Sequence, residues 1–97
     1  MFARVTTAYF RKDLIDKATE ILEESILKAA KQQEGFKSMI CMVDRESGKG
    51  YSITFWEGED NIDANEKSQY YQEQLLKLMV TFTADPIKEK LEVVINS

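Results

Sequence analysis

The side chains available for chemistry in this chain are better suited to holding a ligand than to moving protons. Histidine is absent. That removes the commonest general base and the commonest metal ligand together. Trp56, the single tryptophan, closes an apolar run. An indole there can stack on an aromatic ligand or cap the core. Tyr70 and Tyr71 are neighbours on a helical stretch, so they point apart. One faces core or cleft and the other faces solvent, and a cleft tyrosine can hydrogen-bond a ligand oxygen through its hydroxyl. Asn61 and Asn65 lie where the same helix begins. They serve either as capping or helix-breaking residues or as donors to a ligand carbonyl. Arg4 sits among apolar and threonine residues, with Thr6 on its side of the strand. A guanidinium on a covered face needs a carboxylate, with Glu57 and Glu92 the candidates, or an anionic ligand. Cys41 shares a strand face with Met39 and has no histidine to activate it, so it reads as a small buried hydrophobe. The acidic run Glu57, Glu59, Asp60 and Asp63 reads as a solvated helix start, because metal-ligand spacing is lacking.

The elements that must position these residues centre on Asp44 to Glu57, DRESGKGYSITFWE. Turn residues with Gly48 and Gly50 separate two runs of β-branched and aromatic residues, the pattern of a β-hairpin. Phe2 to Phe10 is a strand with Phe2, Arg4, Thr6, Ala8 and Phe10 on one face and Ala3, Val5, Thr7 and Tyr9 on the other. Asp13 to Gln33 is a helix, capped by Asp13, with Leu14, Ala18, Ile21, Leu22, Ser25, Ile26 and Ala29 as its inward stripe. Gly35 is its left-handed stop. Phe36 to Val43 is a near-continuous apolar strand, expected to be covered on both faces. Lys49 to Trp56 is the third strand. Glu59 to Phe82 is helical, broken near Asn65, with Ile62 as its anchor and Tyr71, Leu75, Leu78 or Met79, and Phe82 repeating beyond. Asp85-Pro86 ends it. Ile87 to Ile95 is a last strand whose polar first half suits an edge or a dimer rim. The order is βαββαβ, an α+β class.

Ninety-seven residues make a single domain, 1–97, with one modest core. A 43% hydrophobic and 31% charged composition is that of a soluble globular protein. Net charge of −4 argues against a nucleic-acid partner, which would call for a basic patch. No apolar run is long enough to span a bilayer, so no membrane partner is expected. The N-terminal MFARVTTAYF has no signal-peptide pattern. One cysteine fits a reducing, cytoplasmic setting. Lys49 to Trp56 partly matches the third-strand motif of an RNA-recognition module. Ile53 replaces its central stacking aromatic, and the strand-one motif is missing.

The ARVTT strand, the long first helix, QEGF at Gln33 to Phe36, the VDRESGKG turn and the SITFWEGED exit into the second helix together resemble the antibiotic-biosynthesis-monooxygenase-like (ABM) proteins of the dimeric α+β barrel superfamily. The resemblance covers nearly the whole chain. It implies a ferredoxin-like protomer whose four-stranded antiparallel sheet packs on that of a second copy, as a homodimer or a dimer of dimers. It implies a helix–sheet cleft for a small aromatic ligand, and no cofactor or metal, since in such enzymes the substrate's own enolate reduces oxygen. The haem-degrading relatives need an asparagine on the first strand, a tryptophan on the second helix and a histidine beyond it. Thr6 or Thr7, about Asn65, and no residue occupy those places here, so that activity is not expected. The substrate-binding candidates are Trp56, Tyr71, Asn65, Arg4 and Thr6. Two functions follow: a cofactor-independent monooxygenase acting on a small aromatic or quinone-like molecule, or a non-catalytic dimeric module that binds a metabolite or partner.

Overall fold

A computed structural model describes residues 1–97. The first strand, β1, is Phe2–Tyr9. Helix α1 covers residues 12–31. It opens as a 3-10 turn at Lys12–Leu14, continues as α-helix Ile15–Ile21, widens to π-helix at Leu22–Leu27 and closes with the α turn Lys28–Lys31. Strand β2 is Phe36–Val43 and β3 is Lys49–Trp56. Helices α2, Glu59–Lys67, and α3, Gln69–Met79, follow, and β4 is Ile87–Glu92. The strands form one antiparallel sheet in the order β2-β3-β1-β4. This is the ferredoxin-like α+β arrangement, with all helices on one face.

Strand periodicity decides what those helices cover. β1 sends Arg4, Thr6 and Ala8 toward them. In register, Arg4 pairs with Thr54, Thr6 with Ser52 and Ala8 with Gly50. Ala8, Phe10, Ile15, Ala18 and Leu78 make the buried core, with Ile21, Leu22, Ile26 and Phe82 packed against it. Phe10 and Phe82 meet edge to face at 5.4 Å. Under α2, Trp56 and Ile62 are fully buried. Ile62 is thus the anchor its lone apolar position suggested.

The hairpin turn is built by side chains. Asp44 Oδ1 accepts the Glu46 N–H at 3.0 Å, and Oδ2 accepts the Ser47 hydroxyl at 2.9 Å. These bonds hold the Asp44 carboxyl below its usual range, the Glu46 N–H contributing most. Gly48 supplies the positive φ, +80°, and its carbonyl accepts the Phe10 N–H at 2.8 Å. Gly50 is needed for a different reason: a Cβ there would lie 2.7 Å from Phe10 Cε2. The hairpin thereby grips the end of β1.

Several sequence expectations are corrected. Asp13 makes no cap. The turn begins one residue earlier at Lys12, with the Leu14 N–H bonded to the Arg11 carbonyl at 2.9 Å and the Arg11 N–H to the Thr81 carbonyl at 2.7 Å. Ile15, not Leu14, is the first buried anchor of α1. Gly35, with φ +83°, does end the helix region. β2 is not covered on both faces. It is an edge strand, half-buried only at Phe36 and Met39, and a bulge between Phe36 and Ser38 shifts its register. The second helical region breaks at Ser68, whose backbone is extended (φ −70°, ψ 139°), three residues beyond Asn65. β1 stops at Tyr9 and β4 at Glu92. The sheet face away from the helices stays uncovered within one chain, leaving Ile40, Ile87 and Leu91 about half exposed.

Two outcomes follow for the hairpin. Gly48→Ala places a Cβ against the Phe10 carbonyl at a left-handed φ, and should lower unfolding free energy by about 1–3 kcal/mol in urea titrations. An unchanged midpoint would contradict this turn geometry. The second outcome concerns acid. A depressed folded pKa contributes stability above the unfolded value of about 4, and that stability is lost as pH falls through the folded value. Asp44→Asn should therefore lose less stability than the parent between about pH 4 and pH 2. Equal acid limbs would show that the turn bonds add nothing.

Candidate functional site

Between the sheet and helices α1 and α3 lies a cavity of about 350 Å³. Its floor is Arg4, Thr6, Ala8 and Phe10 of β1, Gly50, Ser52 and Thr54 of β3, and Met39 and Cys41 of β2. Its roof is mainly Ile15, Leu22, Ile26 and Leu27 of α1 and Tyr71, Leu75 and Leu78 of α3, and Phe82 adds a further wall. The π stretch matters here. Its i→i+5 bonding widens the turn, so that Leu22, Ile26 and Leu27 can all face one side.

Most of this wall is apolar. One end is not. Arg4 is 5% exposed. Its Nη1 donates to Asn65 Oδ1 at 2.9 Å and lies 3.7 Å from Glu66 Oε1. Its guanidinium carbon stands 4.6 Å from the Tyr71 ring centre and 5.7 Å from that of Trp56. Lys88 approaches the Tyr71 ring at 5.4 Å and Glu66 Oε2 at 3.9 Å. Tyr71 thus lies close to two cations, Arg4 and Lys88, and one carboxylate bridges both. Arg4 lines the cavity, and its Nε and Nη2 have no protein acceptor.

The break at Ser68 produces this geometry. Its hydroxyl donates to the Asn65 carbonyl at 2.7 Å and accepts the Tyr71 N–H at 3.1 Å. One residue therefore ends α2 and caps α3. Asn65 and Glu66 arrive from the first helix and Tyr71 from the second.

The candidates divide into two groups. Arg4, Thr6 and Tyr71 line the cavity together. Asn65 and Trp56 do not line it. Asn65 is buried and holds Arg4. Trp56 is fully buried, with Nε1 donating to Thr54 Oγ1 at 2.9 Å and its ring edge to face with Phe36. An indole with no exposed face supports Arg4 from behind rather than stacking on a ligand. Asn61 closes a turn at the start of α2, accepting the Gly58 N–H at 3.0 Å, and Tyr70 is exposed. The partner of Arg4 is Glu66, not Glu57 or Glu92. Glu57 pairs with Lys37 across the exposed surface at 3.9 Å.

Two members of this cluster, Glu66 and Lys88, carry no local signal of their own: Lys88 belongs to the polar first half of the last strand, and nothing around Glu66 marks it. Its role depends on which turn of α2 crosses β1. Cys41 is also corrected: it is on an edge strand and solvent-facing at the cavity rim. The wall about its sulfur still desolvates a thiolate and pushes the thiol pKa up, against a weaker opposing bond to Ser52. It stays protonated near neutral pH. Three of the four acidic residues of the run, Glu57, Glu59 and Asp63, pair with lysines. Lys90 meets Asp63 at 2.6 Å and Glu59 at 3.2 Å, which raises the lysine pKa. No cluster of three or more metal-ligating side chains occurs, and no helix is long and apolar enough to cross a membrane.

No family model and no curated protein matches this sequence. Solved structures do match in shape. One is an antibiotic biosynthesis monooxygenase (TM-score 0.78, 14% identity, 98% of this chain and 100% of that one). Another is a variant of SnoaB from Streptomyces nogalater, described as a cofactor-independent oxygenase (TM-score 0.81, 10% identity, 98% and 94%). The chain has the fold of the antibiotic biosynthesis monooxygenases. A protein of unknown function from Nitrosomonas europaea shares it (TM-score 0.80, 14% identity, 99% and 91%). At these identities the ABM likeness is one of fold, so roles within the cavity rest on this chain's own residues.

Asn65→Ala should test the support of Arg4. It removes the acceptor from a buried charged donor, and is expected to cost about 1.5–3 kcal/mol in urea unfolding. A change within experimental error would mean that Arg4 does not depend on this bond.

Proposed function

We propose that this protein is a cofactor-independent oxygenase that takes a small aromatic or quinone-like substrate into the helix–sheet cavity. The observation that supports this most is the pairing of a largely apolar 350 Å³ space with a buried arginine that lines it and keeps two donors without a protein acceptor. An apolar wall accepts a ring, and a few placed polar groups orient it. Tyr71 and Thr6 offer hydroxyls to substrate oxygens, and Arg4 offers charged N–H groups.

The chemistry needs only substrate and oxygen. The substrate enters already ionised, its proton left in solvent. The anion passes an electron to O₂, the resulting pair combines to form a C–O bond, and the peroxide takes a proton back from solvent. The hydroperoxide then loses water. A ring CH₂ becomes C=O, one oxygen atom is retained, and the other leaves as water. All the electrons come from the substrate. The protein's part is positioning and exclusion of water.

The working unit in this reading is a homodimer. The uncovered sheet face, with Ile40, Ile87 and Leu91 exposed, packs on that of a second copy. A 97-residue chain gains core area by doing so.

A second reading is a binding module without turnover. The ionisable groups of the cavity wall are Arg4, Glu23, Cys41, Tyr51 and Tyr71. Glu23 is exposed and Cys41 holds its proton, so no buried base is present to deprotonate a ligand.

Oxygen uptake over a panel of hydroquinones and anthrone-like phenols separates the readings. The oxygenase reading predicts turnover, with Tyr71→Phe lowering kcat roughly 10²-fold or more while circular dichroism is unchanged. Saturable binding across the panel with no oxygen consumed would decide for the binding module. Trp56→Ala is a poor probe, because emptying a fully buried site costs about 3–5 kcal/mol.

A further inference from the structure

The geometry points to a carboxylate subsite at the Arg4 end of the cavity, so that the ligand is a monocarboxylate on an apolar or aromatic body. This rests on the cavity being the ligand site. Three observations carry it.

The first is the shape of what Arg4 leaves free. Nη1 is committed to Asn65 at 2.9 Å. Nε and Nη2 lie on one edge of the guanidinium and present two parallel N–H bonds, the fork that matches the two oxygens of a carboxylate. These donors belong to a side chain 95% removed from solvent, by its 5% exposure. Neither is sealed off without a partner, so both remain within reach of a ligand.

The second is charge. On the helix-facing side of β4, Lys90 is neutralised by Asp63 and Glu59. Arg4 and Lys88 have only Glu66 between them, at 3.7 and 3.9 Å. Over the whole patch Arg4, Lys88 and Lys90 meet Glu59, Asp63 and Glu66, three charges of each sign, but only Arg4 lines the cavity, and the one carboxylate near it is shared with Lys88. A ligand carboxylate would give Arg4 a counter-ion of its own.

The third is polarity along the cavity. Away from Arg4 the wall runs through Ala8, Leu78 and Leu22 to Phe10 and Phe82. A ligand with its acid at Arg4 lays its apolar body along them. The reverse orientation would bury the acid among carbon atoms. Glu66 partly occupies the same cation and so competes with the ligand.

The test uses two probes of nearly equal shape and different charge, 2-naphthoate and 2-naphthamide, titrated calorimetrically into the full chain. Naphthoate should bind at least about tenfold more tightly. Lys88→Met, at an exposed position, should weaken naphthoate and leave naphthamide unchanged. Glu66→Gln removes the competing charge and should tighten naphthoate several-fold with naphthamide unchanged. A cluster that only supports the fold would not produce that opposite pair of signs. Equal binding of the two probes overturns the carboxylate subsite and leaves the cavity as a ligand site. Binding of neither overturns both.

Discussion

The structure depends on a cation placed in the floor of a sheet. Arg4 stands on a central strand and is almost wholly removed from water. A charge there is tolerated only when its hydrogen bonds and field are met nearby. Asn65, Glu66, Tyr71 and Trp56 supply those partners from two helices and a neighbouring strand. The arrangement is incomplete, since Nε and Nη2 keep no protein acceptor, and Arg4 lines the cavity.

The helices are cut to suit this centre. An unbroken helix from Glu59 to Met79 could not bring Asn65, Glu66 and Tyr71 around one guanidinium from two directions. Ser68 divides it, and its hydroxyl serves both ends of the break. The other long helix opens into a π turn where it roofs the cavity. Departures from regular helix therefore coincide with the space a ligand would occupy. The core residues Phe10, Ile15 and Leu78 themselves line the cavity.

The order of elements was legible because its signals are local. Turn residues at Asp44 to Gly50, alternation in β3 and the glycine stop at Gly35 each act over a few residues. The failures are those of context. The apolar run of β2 looks like a doubly covered strand, yet it lies at the sheet edge with its outer side bare. Periodicity reports burial, and cannot say whether the cover comes from the same chain. Arg4 was recognisable as needing an anion, but the choice of Glu66 is tertiary. Trp56 was recognisable as important at a strand end. Its burial beneath Phe36 and Arg4 depends on the crossing of α2 and β3. Tyr71 and Thr6 reached the cavity because strand and helix periods both survive into the structure. The fold could thus be read largely from pattern, and the site only from its cation outward.

The most direct test of the account is to watch the Arg4 side chain while a ligand binds. The sequence contains three arginines, Arg4, Arg11 and Arg45, so arginine Nε–H signals can be assigned by single substitutions. The probe is 1,4-dihydroxy-2-naphthoate, a hydroquinone bearing a carboxylate, added under nitrogen so that no oxidation intervenes. The account predicts a slowly exchanging Arg4 Nε–H in the free protein that shifts on titration, while Arg11 and Arg45 stay in place. A probe that binds, as judged by shifts elsewhere, and leaves Arg4 unmoved would contradict it.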